Sequence, residues 1–425
     1  MHISKPVPIY KDLWAWSFAL AIAGYPFVGI VSSVTGREDQ VLSIAFRALV
    51  IGLCGLAFLF SDRQKAWRFG EVWLFVFAGL YIVKLGIDAS YDIDGASDAL
   101  VFAVLTSIVP AVLLALSTNK WSEINVAWAL FIIGALSVVG IVWLQYSGST
   151  AVLLDNTDRV KFERLNPISI GHAGLTALIA SYTLIRTPQR RIAEIAIATV
   201  VAASAYVIYL ASARGPLVAL ACCIVLLPIL RPKFITMILC LLCLAVAVLA
   251  LAITDITPLL DKFHLTAIGG DRSTMARLGS VARSWELFQQ NPLFGYGTQL
   301  PLFIYPHNIF MEILQATGLL GMAIFVLVFV KIGMAVKFLA DKHLVLLPLL
   351  TTQAIVGAQF SGSLWGSGFL WITITVLIFR FNALRSFDLW AHRRVMWRSY
   401  AQPGRPVGSH KYRTTLPVET SMRRM

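Results

Sequence analysis

Long stretches without a charged side chain dominate this chain. No Asp, Glu, Lys or Arg occurs in 13–36, 99–119, 124–154, 165–185, 195–213, 215–230, 234–254, 313–330 or 343–379. A helix needs roughly 20 mostly apolar residues to cross a bilayer core of about 30 Å, and most of these stretches reach that length. Of the 425 residues, 58% are hydrophobic and 13% charged, against about 45–50% and 25% in soluble domains. The chain therefore reads as an all-α polytopic membrane protein, and a water-soluble globule is excluded.

About twelve transmembrane helices can be drawn, near 13–34, 41–60, 72–88, 99–117, 124–147, 167–186, 193–211, 215–230, 234–254, 307–330, 343–360 and 366–381. Arg47 and Lys84 interrupt the second and third, where charges near span ends can snorkel. The first span is too long for a signal h-region and lacks a small-residue cleavage pattern, so it is expected to stay as an anchor. All five cysteines (Cys54, Cys222, Cys223, Cys240, Cys243) lie in apolar runs, where a thiol behaves as a small hydrophobe, and disulfides are not expected.

With the N-terminus inside, most of the 35 Lys and Arg residues fall on the cytoplasmic side, which places both termini there. Residues 1–381 form the membrane domain and 382–425 a basic cytoplasmic tail. Its Arg385, Arg393, Arg394, Arg398, Arg405, Lys411, Arg413, Arg423 and Arg424 should lie against anionic membrane lipids. Pro403, Gly404 and Pro406 argue for disorder in that tail, and no nucleic-acid-binding fold accompanies its charge. Two outer loops are long, 148–166 and 255–306. The second holds an amphipathic stretch at 274–290 and the turn-rich Asn291-Pro292-Leu293-Phe294-Gly295-Tyr296-Gly297; loops of that length usually carry function. No internal repeat is visible.

His307 and Asn308 open the tenth span. Asn308, Glu312 and Gln315 fall at i, i+4 and i+7 and share a helix face, with His307 bordering that stripe. An imidazole with an ordinary pKa near 6.5 can take a proton from a hydroxyl around neutral pH. Arg214, between two long spans joined by almost no loop, is suited to an anionic headgroup, since a guanidinium stays charged and grips phosphate through two bonds. Arg277 and Arg283 sit on the amphipathic stretch, with Arg272 and Lys262 nearby. Each of these has a structural reading too: a helix cap for His307, snorkelling for Arg214, a solvated face for the loop arginines. Arg214, Arg277 and His307 are all assigned to one side of the membrane, and a cationic pocket beside a base suits transfer chemistry on a pyrophosphate-linked lipid.

These residues resemble the O-antigen ligase and polymerase superfamily, most of all the WaaL-type O-antigen ligases. The resemblance rests on Ser212-Ala213-Arg214-Gly215-Pro216, on the loop from Arg277 through Trp285 to Asn291-Pro292-Leu293-Phe294-Gly295-Tyr296-Gly297, and on His307-Asn308 with Gly318 and Gly321 following. It covers roughly 212–321. It implies a membrane-embedded, GT-C-like glycosyltransferase with a long periplasmic loop, sited in the bacterial inner membrane with its active site facing the periplasm. Such an enzyme is metal-independent and inverting, needs no cofactor, and moves a glycan from undecaprenyl diphosphate to a lipid A-core hydroxyl. His307 would match the family's loop histidine, and Arg214 and Arg277 its pyrophosphate-binding arginines. Where an aromatic residue is expected four positions after the loop arginine, this chain has Val281, with Trp285 a turn later, so Arg283 stays a rival to Arg277. An O-antigen polymerase, a protein O-oligosaccharyltransferase and, from another class, a lipid-linked glycan flippase are the alternatives.

Three other patterns read as structural. Asp92-Ile93-Asp94, among Asp88 and Asp98, has the Asp-x-Asp form that can hold a divalent cation but reads as a solvated acidic loop. Cys240 and Cys243 have zinc-like spacing without further ligands. His172 reads as a helix-packing residue that could instead line a polar cavity.

Overall fold

The computed structural model describes residues 12–35, 39–61, 71–117, 122–147, 152–154, 160–162, 165–187, 189–230, 272–300 and 305–401. In chain order the elements are α1 (Leu13–Ala23), α2 (Tyr25–Thr35), α3 (Asp39–Leu59), α4 (Val72–Ser90) and α5 (Ala96–Phe102). A π-helix (Ala103–Ile108) joins α5 to α6 (Val109–Leu116), and α7 (Glu123–Tyr146) follows. The hairpin β1 (Val152–Leu154) and β2 (Val160–Phe162) precedes α8 (Pro167–Ile185), α9 (Arg191–Ala211) and α10 (Arg214–Leu230). The rest is α11 (Arg272–Gln290), α12 (Ile309–Asp341), α13 (Leu346–Gly357) and α14 (Gly368–Ala401).

Among the described residues, eight helices are long and apolar enough to cross a membrane, or nine if α1 and α2, bent by 63°, form one span; α10 and α13 are shorter apolar helices. The protein is thus an all-α polytopic membrane protein, apart from the antiparallel pairing of β1 with β2. The span expected at 234–254 lies outside the described residues, as does Lys262. Two spans run past their expected ends, α12 to Asp341 and α14 to Ala401. The chain divides into compact units at 1–383 and 384–425. Within the second, Pro403, Gly404 and Pro406 lie outside the described residues.

Polar residues mark the helix starts. Asp12, Ser122 and Asn166 each accept the N–H three residues on, from Ala15, Asn125 and Ser169, and so satisfy donors that a helix start leaves without partners. Small residues then let helices close up: a Cβ added to Gly134 would stand 2.9 Å from that of Ala177, and one on Gly174 2.9 Å from the Ser204 carbonyl. This seats α8 between α7 and α9, as small residues do where lipid gives helices no hydrophobic reason to associate. Ile192, Val225 and Ile229 are exposed on the outside, as a lipid-facing surface requires.

At one end of the bundle, Glu123 of α7 accepts the N–H groups of Val345 and Leu346, both at 2.8 Å, and holds the start of α13. Asp12 accepts from Asn125 beside it at 2.8 Å. α13 has twelve residues, about 18 Å at 1.5 Å per residue, short of the roughly 30 Å of a bilayer core. It is thus shorter than a full span, and the irregular segment 358–367 continues from its far end, Gly357, to α14.

α12 breaks at Gly318, whose φ of 63° and ψ of −160° fall in a region essentially restricted to glycine. A Cβ there would stand 2.5 Å from the Leu293 backbone. Gly318→Ala is expected to cost on the order of 2 kcal/mol or more and to lower the melting temperature of the purified protein by several degrees. Gly52→Ala, where an added Cβ meets nothing within 4 Å, is the control and should melt as the parent does.

Candidate functional site

The site is built from the break in α12. Interrupting a helix frees backbone groups that must find partners inside an apolar surround. Residues 292–297 supply them: Leu319 donates to Pro292 O at 2.8 Å, Leu320 to Leu293 O at 3.2 Å, and Tyr296 N–H to Gln315 O at 2.7 Å. Side chains finish the closure. Gln315, fully buried, donates to Gly297 O and Gln299 O at 3.0 and 3.2 Å, and Lys84 Nζ to Gly295 O at 3.2 Å. Asp88 accepts the Thr298 hydroxyl at 2.6 Å and also its N–H. The turn-rich motif is thus a plug that fixes where α11 ends and where the chain returns toward His307.

A second clasp centres on Glu312, one turn into α12 and 0% exposed. One carboxylate oxygen accepts from the Tyr81 hydroxyl of α4, and the other from the Leu364 N–H, each at 2.8 Å. The 358–367 segment is held further by Ser107, which donates to Trp365 O at 3.0 Å, and by Trp371, which donates to Leu364 O at 2.9 Å. The π-helix carries Ser107. From the same segment the Trp365 ring meets that of Tyr305, so Glu312 is linked through one piece of backbone to the residue two before His307.

His307 adopts a left-handed φ of 56°, uncommon for a residue with a Cβ. Asn308 fixes the turn from the other side, its side chain capping α12 through the N–H groups of Phe310 and Met311, both at 3.1 Å. The rings of Tyr305 and His307 lie 4.3 Å apart, and Trp365 meets Tyr305 edge-on at 6.4 Å. Among the described residues, His307 Nδ1 and Trp365 Nε1 are buried with no hydrogen-bond partner; such atoms in a cleft call for water or a polar ligand. Burial first, then the Arg277 charge, lowers the His307 pKa below its ordinary value. Burial, then the Glu312 charge, raises that of the Tyr305 hydroxyl, against Arg277 and the Gly362 N–H. At neutral pH the arrangement therefore holds a neutral imidazole beside a guanidinium: a base next to a fixed positive charge.

The structure separates the two loop arginines. Arg277 is half-buried on α11 and acts electrically on both Tyr305 and His307. Arg283, 49% exposed, pairs with Glu286 at 2.8 Å. Arg214 opens α10, where an added Cβ on Gly215 would stand 3.0 Å from Phe360, in the 358–367 segment whose Trp365 meets Tyr305. Asn308 is a helix cap. Glu312 and Gln315, expected on one face, are both buried and face two different clasps.

Other expectations need correcting or placing. Asp88, read as part of a solvated acidic loop, is 4% exposed in the last turn of α4; a carboxylate there is stable because Thr298 donates to it twice. Asp92 and Asp94 are exposed, as a solvated loop would have them. Cys240 and Cys243 lie outside the described residues. Among the described residues no three His, Cys, Asp or Glu side chains gather closely enough to hold a metal ion. His172 lines a cavity rather than serving packing alone. Sequence reasoning missed Tyr81, Tyr305 and Trp365 altogether.

Residues 198–326 match the family model described as O-antigen ligase. That stretch contains Arg214, Arg277, Arg283, His307, Asn308, Glu312 and Gln315, and the match supports membership of the O-antigen ligase superfamily and a glycosyl-transferring enzyme of ligase or polymerase type. No curated protein matches the chain.

Because Arg277 is one of the two causes that depress His307, Arg277→Ala should move the imidazole pKa upward, toward its ordinary value. Histidine titration by NMR on the purified protein checks this, and Arg283→Ala should leave the His307 titration in place.

Proposed function

We propose that the protein is an O-antigen ligase: a glycosyltransferase that moves O-antigen polysaccharide from undecaprenyl diphosphate to a sugar hydroxyl of lipid A-core. The reaction would take place at the periplasmic face of the bacterial inner membrane and complete lipopolysaccharide. The observation that carries this reading is His307, held in a left-handed turn between the Tyr305 ring and the Asn308 cap, its pKa lowered by burial and by Arg277.

In the proposed step the acceptor oxygen attacks the anomeric carbon while the bond from that carbon to the diphosphate oxygen breaks. The hydroxyl proton goes to the His307 imidazole, and the electron pair leaves with the diphosphate, whose growing charge Arg277 and Arg214 stabilise. Direct displacement inverts the anomeric configuration. The sugar–diphosphate bond is already activated, so no nucleotide is needed. Glu312 and Gln315 act by holding the 358–367 and 292–299 segments in place, and Arg283, paired with Glu286, has a peripheral role.

The flippase alternative requires charged residues along a path through the spans. Lys84 instead holds the plug, Arg47 lies over the Phe102 ring and Glu194 is exposed in the first turn of α9. Polymerase and ligase chemistry share this site and differ in acceptor. Lipopolysaccharide from a strain lacking the gene separates them on a gel: a ligase mutant keeps its polymer on the lipid carrier, whereas a polymerase mutant transfers single repeat units.

With purified protein, lipid-linked donor and acceptor, His307→Ala should lower turnover by about 10²–10⁴-fold, the contribution of a positioned base, while the protein stays folded. Arg214→Ala and Arg277→Ala should each cost heavily, Lys should restore only part, and Arg283→Ala should be mild. A departing diphosphate can be neutralised by guanidinium groups or by a divalent ion; with the arginines in that role, transfer should continue in EDTA, and Asp92→Ala and Asp94→Ala should stay near the parent rate. Loss on chelation, restored by Mg²⁺, would contradict this.

A further inference from the structure

Charged residues that border the charge-free runs come together at one end of the bundle. Asp12 precedes the run 13–36, Glu123 the run 124–154 and Lys342 the run 343–379, while Arg186 follows 165–185 and Arg380 closes 343–379. Asp12 accepts from Asn125, two positions after Glu123, and Glu123 accepts from Val345 and Leu346 at the start of α13. Arg186, the residue after α8, reaches the carbonyl of His343, next to Lys342, at 3.4 Å. Glu123 also acts electrically on Arg380 of α14. At 1.5 Å per residue, Leu346–Gly357 and 368–380 cover about 18 and 20 Å, so both helices carry the chain from the 358–367 segment to the same level. Apolar runs end where the hydrocarbon layer ends, so these charges mark the headgroup level at the end of the bundle away from the His307 turn.

The carboxylates and the guanidinium groups at this level are not used equally. One Asp12 oxygen accepts from Ala15 and the other from Asn125, and one Glu123 oxygen takes both α13 N–H groups. Arg186 has only the long contact to His343 and the face of Tyr182 at 5.8 Å, and its Nε is buried with no hydrogen-bond partner. Arg380 Nε is buried in the same state. Among the described residues, both guanidinium nitrogens stranded in this way lie here. A buried donor on a charged group calls for an acceptor, and the planar fork of a guanidinium matches the oxygens of a phosphate. At the headgroup level of a bilayer, the anion in reach is the phosphate of a lipid.

We propose that Arg186 and Arg380 hold the phosphate of an anionic membrane lipid, at a site separate from the one built around His307. The two arginines come from different helices, so the headgroup bridges the end of α8 and the far part of α14 beside the start of α13. A lipid bound there braces the ends of α13 and α14 opposite the 358–367 segment that these helices enclose. The site does not depend on the transfer reaction, and it stands or falls apart from it.

The test titrates full-length protein in detergent with phosphatidylglycerol, or with phosphatidylcholine of the same acyl chains, and reads bound lipid by native mass spectrometry. The wild type should bind phosphatidylglycerol about tenfold more tightly, as a charge-assisted hydrogen bond implies. Arg186→Gln and Arg380→Gln should each remove most of that preference. The double variant Arg190→Gln and Arg191→Gln, which takes two exposed cations from the start of α9 at the same end, should keep it. Inorganic phosphate in excess should compete poorly, because it has no chains to hold it among lipid or detergent. Equal binding of the two lipids by the wild type would overturn the proposal, as would an equal loss in the Arg190 and Arg191 control, which would show general surface charge at work. Full competition by inorganic phosphate would also overturn it, in favour of a free anion. Where one arginine variant fails to fold, the wild-type preference and the other variant decide.

Discussion

In a bilayer core a backbone N–H or C=O that leaves its helix has no water to bond, and each such group left unsatisfied costs on the order of 1–3 kcal/mol or more. That constraint accounts for four polar residues placed in the helices of this protein. Glu312 takes the Leu364 N–H, Gln315 takes the carbonyls of Gly297 and Gln299, Lys84 takes that of Gly295, and Asp88 holds Thr298. Each charge or amide meets irregular chain. The irregular chain in turn is where a site can form, because only non-helical backbone can turn a side chain such as His307 away from a helix face.

The clasps also account for the conformation of His307. A left-handed φ on a residue with a Cβ costs roughly 1–3 kcal/mol, and it persists only when the flanking residues allow nothing else. Asn308 is committed to capping α12, and the Tyr305 ring is packed between those of His307 and Trp365. With Asn308 bonded on one side and the Tyr305 ring stacked on the other, the backbone of the histidine turn is held from both directions. In the proposed role as a base such a hold would matter, since a base's geometry at the proton it accepts counts as much as its pKa.

Much of the fold was legible in the sequence, and less of the site. Charge-free runs and the amphipathic 274–290 stretch report local periodicity, so the spans and α11 could be drawn with modest errors at the ends. The Asn308 cap and the polar stripe of α12 were visible for the same reason. The pairing of Tyr81 with Glu312 spans 231 positions, that of Thr298 with Asp88 spans 210, and that of Leu364 with Glu312 spans 52, and no periodicity reports on such distances. Asp88 was misread because a carboxylate near a helix end is ordinarily solvated, and only its distant partner makes burial tolerable. A signal for the clasps did exist: carboxylates and amides inside otherwise apolar helices demand partners, and that demand could have been raised for Glu312 and Gln315 before their partners were known.

The choice between Arg277 and Arg283 shows how a fold resolves what spacing leaves open. The two are six residues apart, about 600° around a helix at 3.6 residues per turn, so they stand on different faces, and either could have been the inward one. Orientation was settled by the plug. Once Gly295 and Tyr296 are stitched into the break of α12, the end of α11 is fixed, and with it the face that α11 turns toward Tyr305 and His307. Arg277 occupies that face, while Arg283 meets Glu286 in solvent. A motif with no titratable group at its glycines is thereby stitched to the break of α12, and Gly295, with a φ of 74° and a Cβ position 2.4 Å from the Ala316 backbone, is what lets it lie there.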